Sequence, residues 1–280
     1  MNILSIQSWV SYGHVGNAAA VFPMQRLGHE VWAVNTVQFS NHTGYGAWKG
    51  AVFSGDAIRE VVHGIADREV LPRCDGVLSG YMGDASIGEA IIETVAKVKA
   101  ANPDALYCCD PVIGDVGRGV FVRPGIPEFM KMNAVAVADL ITPNLFELQY
   151  LSGREIAGKD HMRVALDAVH EIGPKVIMAT SVVPDTEGVI DVVVSSGEGQ
   201  FRVRTPLLPV SVNGAGDAIA ALFFVHYLAT KDAAQAASRA VSSIYGLLKR
   251  TADKGSREIL LIEAQEEFVT PTTVFEAERV

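Results

Sequence analysis

Four acids and a pair of glycines are the residues from which chemistry can first be argued. Gly214-Ala215-Gly216-Asp217 heads a proline-free stretch, Ala215 to Ala229, rich in Ala, Leu and Phe, while Pro206 and Pro209 keep the approaching chain extended. Glycines flanking one small residue let free backbone N–H groups turn toward an anion, and the dipole of the following helix adds partial positive charge. Asp217 falls in the first helical turn, where a carboxylate can take the proton of an alcohol attacking a phosphate held by those amides. The same four residues also suit a plain turn with a favourable N-terminal acid, so other stretches must decide. Asp110, Asp115 and Glu147 supply what a magnesium-nucleotide site needs: few, hard oxygen ligands that leave room for water and phosphates. Asn144 and Glu147 are also spaced as a capping box, and both roles can hold.

These residues need a scaffold that gathers them. Short apolar runs, Ile3 to Ile6, Val31 to Val37, Asp75 to Leu78, Ala105 to Cys109, Leu140 to Thr142 and Val176 to Ala179, alternate with helical stretches. The helices are expected from about Asn17 to Leu27, Asp56 to Ile65, Ile87 to Ala101, Ala215 to Ala229 and Ala233 to Arg250. Val189 to Val194 and Gln200 to Arg204 read as an antiparallel hairpin. The expected architecture is therefore α/β: a mainly parallel central sheet flanked by helices, with an antiparallel edge hairpin, in one domain over residues 1–280. In such sheets ligands bind outside the carboxyl ends of the strands, where Ser8, Val37, the loop Gln38 to Gly46, Tyr81, Asp110, Thr142, Asn144 and Thr180 all fall.

Composition narrows the partners. With 23 Lys and Arg against 32 Asp and Glu, the net charge is -9 and no basic cluster is present, which argues against nucleic acid and for a small metabolite. No apolar run approaches the length of a membrane span, and the N-terminus lacks a basic leader, so a cytoplasmic protein is expected. Cys74, Cys108 and Cys109 lack zinc spacing and read as buried small hydrophobes of a reducing compartment.

The loops, taken in order, resemble those of pyridoxal kinases of the ribokinase superfamily, from Ile3 to about Arg250. The matching pieces are Ser5-Ile6-Gln7-Ser8, Gly13-His14-Val15-Gly16-Asn17, Val37 to Thr43, Leu78 to Tyr81, Cys109 to Val112, Thr142 to Glu147, and Gly214 to Asp217. The resemblance implies that Ser8 binds a pyridine nitrogen, that Val37 and Thr43 contact the ring and its hydroxyl, and that Tyr81 covers the ring face. His42 would stand on the aldehyde side. It further implies that Asp110, Asp115 and Glu147 organise Mg2+ and phosphates, that Thr142, Asn144 and Thr180 touch ATP, and that Asp217 is the base at the 5′-hydroxyl. A monovalent cation and a homodimer fit the same resemblance. On the residues alone, His42 equally suits a hydrogen bond within its loop, and Tyr81 a place in the core. One departure concerns the lid Gly114 to Gly119, whose one cation is Arg118: where many bacterial members carry a cysteine after the last glycine, this chain has Val120, so no covalent capture of an aldehyde is expected. A hydroxymethylpyrimidine kinase typically has cysteine in place of Asp217. A non-catalytic pyridoxal carrier would not need that acid.

Overall fold

The computed structural model describes all residues from Met1 to Val280. The chain opens with strand β1 (Asn2–Val10), helix α1 (Asn17–Arg26), β2 (Glu30–Phe39), β3 (Gly50–Val52) and α2 (Gly55–Ala66). Next come β4 (Gly76–Ser79), α3 (Ala85–Ala101), β5 (Leu106–Cys109), and a small ribbon of β6 (Gly114–Asp115) with β7 (Gly119–Val120). The short helices α4 (Ile126–Phe129) and α5 (Val135–Val137) lead to β8 (Leu140–Ile141), α6 (Leu145–Ser152), α7 (Lys159–His170) and β9 (Val176–Val182). The hairpin β10 (Val189–Ser196) and β11 (Gly199–Pro206) precedes α8 (Ala215–Thr230), α9 (Ala233–Asp253), α10 (Glu266–Val269) and β12 (Glu278–Arg279).

One ten-stranded sheet runs β12-β11-β10-β9-β8-β5-β4-β1-β2-β3. The strands from β9 to β2 in that order pair in parallel, and the antiparallel pairs lie at both ends. Strand residues alternate between two apolar layers. Leu4, Ile6, Val77, Tyr107 and Cys109 face α2, α3 and α7, while Ile3, Leu78 and Cys108 face α1, α8 and α9. A sheet covered on both faces explains why its strands read as unbroken apolar runs. The adjacent Cys108 and Cys109 thus point to opposite layers, and all three cysteines are buried. Burial pushes the Cys109 thiol up to about 12 and Cys74 to about 11.

Two features differ from the sequence reading. Strand β1 extends past the apolar run to Val10, because the amide of Gln7 finds a buried partner in the Ser5 hydroxyl at 3.1 Å. The C-terminal tail also joins the fold: Phe275 stacks edge-on to Tyr245 at 4.7 Å and Glu278–Arg279 pairs with β11.

The sheet reverses direction at β1, whose neighbours are β2 and β4, and a crevice opens at the carboxyl ends there. Two irregularities shape it. Between the pairs Gln7↔Asn35 and Trp9↔Gln38, Thr36 and Val37 of β2 stand against Ser8 alone. Between Asp191↔Val182 and Val193↔Ala179, Thr180 and Ser181 of β9 stand against Val192 alone. Both two-against-one bulges re-aim side chains at the crevice.

Candidate active site

The crevice holds a cavity of about 510 Å3 lined by 26 residues. Every substrate-, nucleotide-, metal- and base-candidate read from the sequence lines it: Ser8, Val37, His42, Thr43 and Tyr81 at one end, Asp110, Asp115, Thr142, Asn144, Glu147 and Thr180 at the other, and Gly214 to Asp217 between them.

Gly214, the residue just before helix α8, has φ 89° and ψ −9°, a left-handed conformation open to glycine; a Cβ there would overlap the His14 carbonyl oxygen. No side chain caps this helix, so its first N–H groups remain free for an anion. The Asp217 carboxylate faces the backbone N–H groups of Gly16 and of its own residue, which favour its charged form, but burial outweighs them and pushes it up to about 6. Gly16 is thus a partner of the acid that the sequence does not reveal, two hundred residues away.

At the acceptor end, Val37 is buried, and the Thr36 hydroxyl donates to the Tyr81 carbonyl at 3.0 Å, fixing the residue whose half-buried ring borders the cavity. His42 Nδ1 accepts the Gly44 N–H at 3.1 Å, which places the proton of a neutral ring on Nε2. Burial, then the Arg118 charge, lower its proton affinity and favour that neutral form. The hydrogen bond within its own loop is therefore present, together with a place on the cavity wall. Thr43 is exposed at the start of the same short turn.

At the opposite end the acids are crowded. Asp110 accepts the Thr142 hydroxyl at 2.9 Å; burial holds it well above the usual carboxylate range, and the charges of Glu147 and Asp217 add to this. Glu147 accepts the Asn144 N–H at 2.9 Å, the Ile113 N–H at 2.9 Å and the Gly114 N–H at 3.4 Å, while the Asn144 side chain accepts the Glu147 N–H. The capping box is formed, and the Asn144 amide also donates to the Gly114 carbonyl at 2.8 Å, anchoring the β6–β7 ribbon. Burial pushes Glu147 up to about 7 against those three donors. Asp115 accepts the Val116 N–H at 2.7 Å and pairs with Arg118 at 3.3 Å. The three acids therefore form no ready-made cage, and no group of three or more metal-binding side chains is gathered anywhere in the chain. Asp110 keeps one oxygen free of protein partners, a donor set suited to an ion that arrives with phosphates and water rather than one held by protein alone.

Other lining residues carried little signal. Ser181 has φ 56°, rare for a residue with a side chain, and sits in the β9 bulge. The Arg118 guanidinium stands 5.2 Å over the Phe121 ring, and both border the cavity. Val120, by contrast, is exposed on the ribbon and is not part of the wall.

A family model described as phosphomethylpyrimidine kinase matches residues 72–260. The pyridoxal kinase PdxY of Granulibacter bethesdensis is 60% identical over 284 residues, covering 99% of both chains. That of Rubrobacter xylanophilus is 54% identical over 283 residues, covering 100% of this chain and 98% of the relative. A solved pyridoxal kinase from Leishmania donovani, in complex with ADP and pyridoxamine, has a TM-score of 0.92 at 29% identity, covering 100% of this chain and 99% of that one. Sheet, crevice and uncapped helix start together define a ribokinase-like phosphotransferase. Within that class, the chain belongs to the pyridoxal kinase family.

Proposed function

We propose that this chain is an ATP-dependent pyridoxal kinase, one domain over residues 1–280, that phosphorylates the 5′-hydroxyl of pyridoxal to pyridoxal 5′-phosphate. The observation that carries the reading is Asp217: it lies at the uncapped start of α8, with Gly16 and Ser8 on its acceptor side and Asp110 on its nucleotide side. Asp217 takes the hydroxyl proton, the amides at the start of α8, Gly214 to Asp217, stabilise charge on the moving phosphoryl, and the walls hold both reactants in line. Ser8, Val37, Thr43, His42 and Tyr81 hold the ring, while Thr142, Asn144 and Thr180 border the nucleotide.

Asp110, with Asp115 and Glu147 near it, would hold magnesium, which would screen the charge of the phosphates it accompanies. A monovalent cation enters the proposal as an activator, and a cytoplasmic homodimer as its setting; no helix is long and apolar enough to cross a membrane. The test is ADP release with Mg-ATP and pyridoxal, run beside hydroxymethylpyrimidine. That second acceptor is included because the matching family model is described as phosphomethylpyrimidine kinase. Turnover with pyridoxal at least ~10-fold more efficient than with the pyrimidine supports the proposal, a margin matching the loss of one or two good contacts; the reverse order overturns it.

A further inference from the structure

The acceptor-side turn, residues 13–17, touches the phosphate-side turn, residues 213–217, at two points. Gly214 packs so closely on the His14 carbonyl that no Cβ fits between them, and the Gly16 N–H faces the Asp217 carboxylate. Gly16 itself has φ 55° and ψ −133°, a backbone conformation reserved for glycine, and its Cα lies against the Ser8 carbonyl and hydroxyl. One glycine therefore meets both the acceptor wall and the acid that must act on the acceptor.

What anchors that turn is the next residue. Asn17 is fully buried at the start of α1, and both the oxygen and the nitrogen of its side-chain amide are hydrogen-bonded. Its Oδ1 accepts the Ser5 hydroxyl at 2.7 Å; its Nδ2 donates to the Val34 carbonyl at 3.1 Å and Asn35 Oδ1 at 2.9 Å, with the Ser5 carbonyl at 3.4 Å. The Ser5 hydroxyl in turn accepts the Gln7 amide. An apolar residue would fill this space, but only a directional network fixes the rotation of the adjoining peptide.

We propose that Asn17 is a positioning residue for phosphoryl transfer: by tying the turn to β1 and β2, it holds the Gly16 N–H on Asp217 and sets the base relative to the acceptor. The inference rests on the kinase reading above. Asn17 touches no reactant, so its loss acts on the chemical step rather than on substrate binding.

Steady-state kinetics of Asn17→Ala and Asn35→Ala, with active fraction and melting temperature measured on the same samples, test this. Asn17→Ala is expected to lower kcat at least ~10-fold, with KM for Mg-ATP and for pyridoxal within about threefold of wild type, since a small misplacement of reacting groups acts on kcat. Asn35→Ala removes one bond from the half-buried side of the network and is expected to lower kcat about threefold, again with little change in KM. Unchanged kcat per folded enzyme, or KM values that rise in step with the loss, would make Asn17 merely structural. If Asn17→Ala does not fold, Asn35→Ala decides by the same criteria. Absence of pyridoxal turnover by the wild-type protein would instead sink the kinase reading, a result visible before any variant is made.

Discussion

The two ends of the crevice are built on opposite principles. The acceptor end is shaped by apolar and neutral side chains, Val37, Tyr81 and an imidazole kept neutral, on a loop that is partly exposed. The nucleotide end concentrates Asp110, Glu147 and, at its border, Asp217, three acids that burial drives toward protonation. One end recognises by fit; the other holds electrostatic tension that a cation and its phosphates relieve. A mutation should therefore act on turnover at the charged end and on affinity at the neutral one.

The strongest way to break this division is Asp217→Asn, for which turnover should fall at least ~100-fold with pyridoxal affinity nearly unchanged. Equal losses in both, measured by steady-state kinetics and equilibrium binding, would erase the contrast. Glu147→Gln comes next. Its two oxygens accept three backbone N–H groups, and an amide offers only one oxygen, so the β6–β7 ribbon and the α6 start should loosen. We expect stability to drop by ~1–3 kcal/mol in denaturant titrations and ATP use to weaken, with no rescue by excess magnesium. Rescue would show that Glu147 serves the ion directly. At the other end, Ser8→Ala should raise KM for pyridoxal by up to about tenfold and leave kcat within about threefold, the size of one lost hydrogen bond.

Acid titration sharpens the same contrast. Asp217 ionises near 6 in the fold and near its ordinary value of 3.8 when unfolded, so the folded state binds its proton more tightly. Its contribution is neutral below about 4, becomes destabilising as pH rises through 4 to 6, and then levels off. The melting temperature of Asp217→Asn minus that of wild type should therefore climb by a few degrees across that window. A flat difference would mean the acid is not strained by burial. The smallest effect concerns the aldehyde: with Val120 off the cavity wall and every cysteine buried, bound pyridoxal should keep its aldehyde-type absorbance, and a thiol-dependent loss of that absorbance would overturn the expectation.

The positions of the site residues were legible because a parallel sheet sends every strand end to one edge, so that Ser8, Asp110, Asn144 and Asp217 converge by topology alone. Their partnerships were not. The bulges at Ser8 and at Thr180–Ser181 depend on the register of neighbouring strands, which no local run of residues encodes. Likewise, the spacing of Asn144 and Glu147 announces a cap, but that Glu147 spends both oxygens on backbone donors, or that Asp115 turns to Arg118, is decided by the fold of the intervening ribbon. Gln7 interrupts an apolar pattern and shortens the strand read from sequence, because the Ser5 hydroxyl that satisfies its amide belongs to a network completed by a helix and a second strand.

The margins of the sheet bear on how copies of this chain can meet. One border is β3, three residues long; the other is β12, a two-residue strip laid by the chain's end along β11. These border strands cover only Val37–Phe39 of β2 and Phe201–Arg202 of β11, so the outer edges of β2 over Glu30–Asn35 and of β11 over Val203–Pro206 carry no strand partner. Copies of the chain can therefore meet along an open edge as well as through helices and loops, and trimming the last few residues should uncover Phe201 and Arg202 too, lengthening the open edge of β11 and making the protein more prone to aggregate.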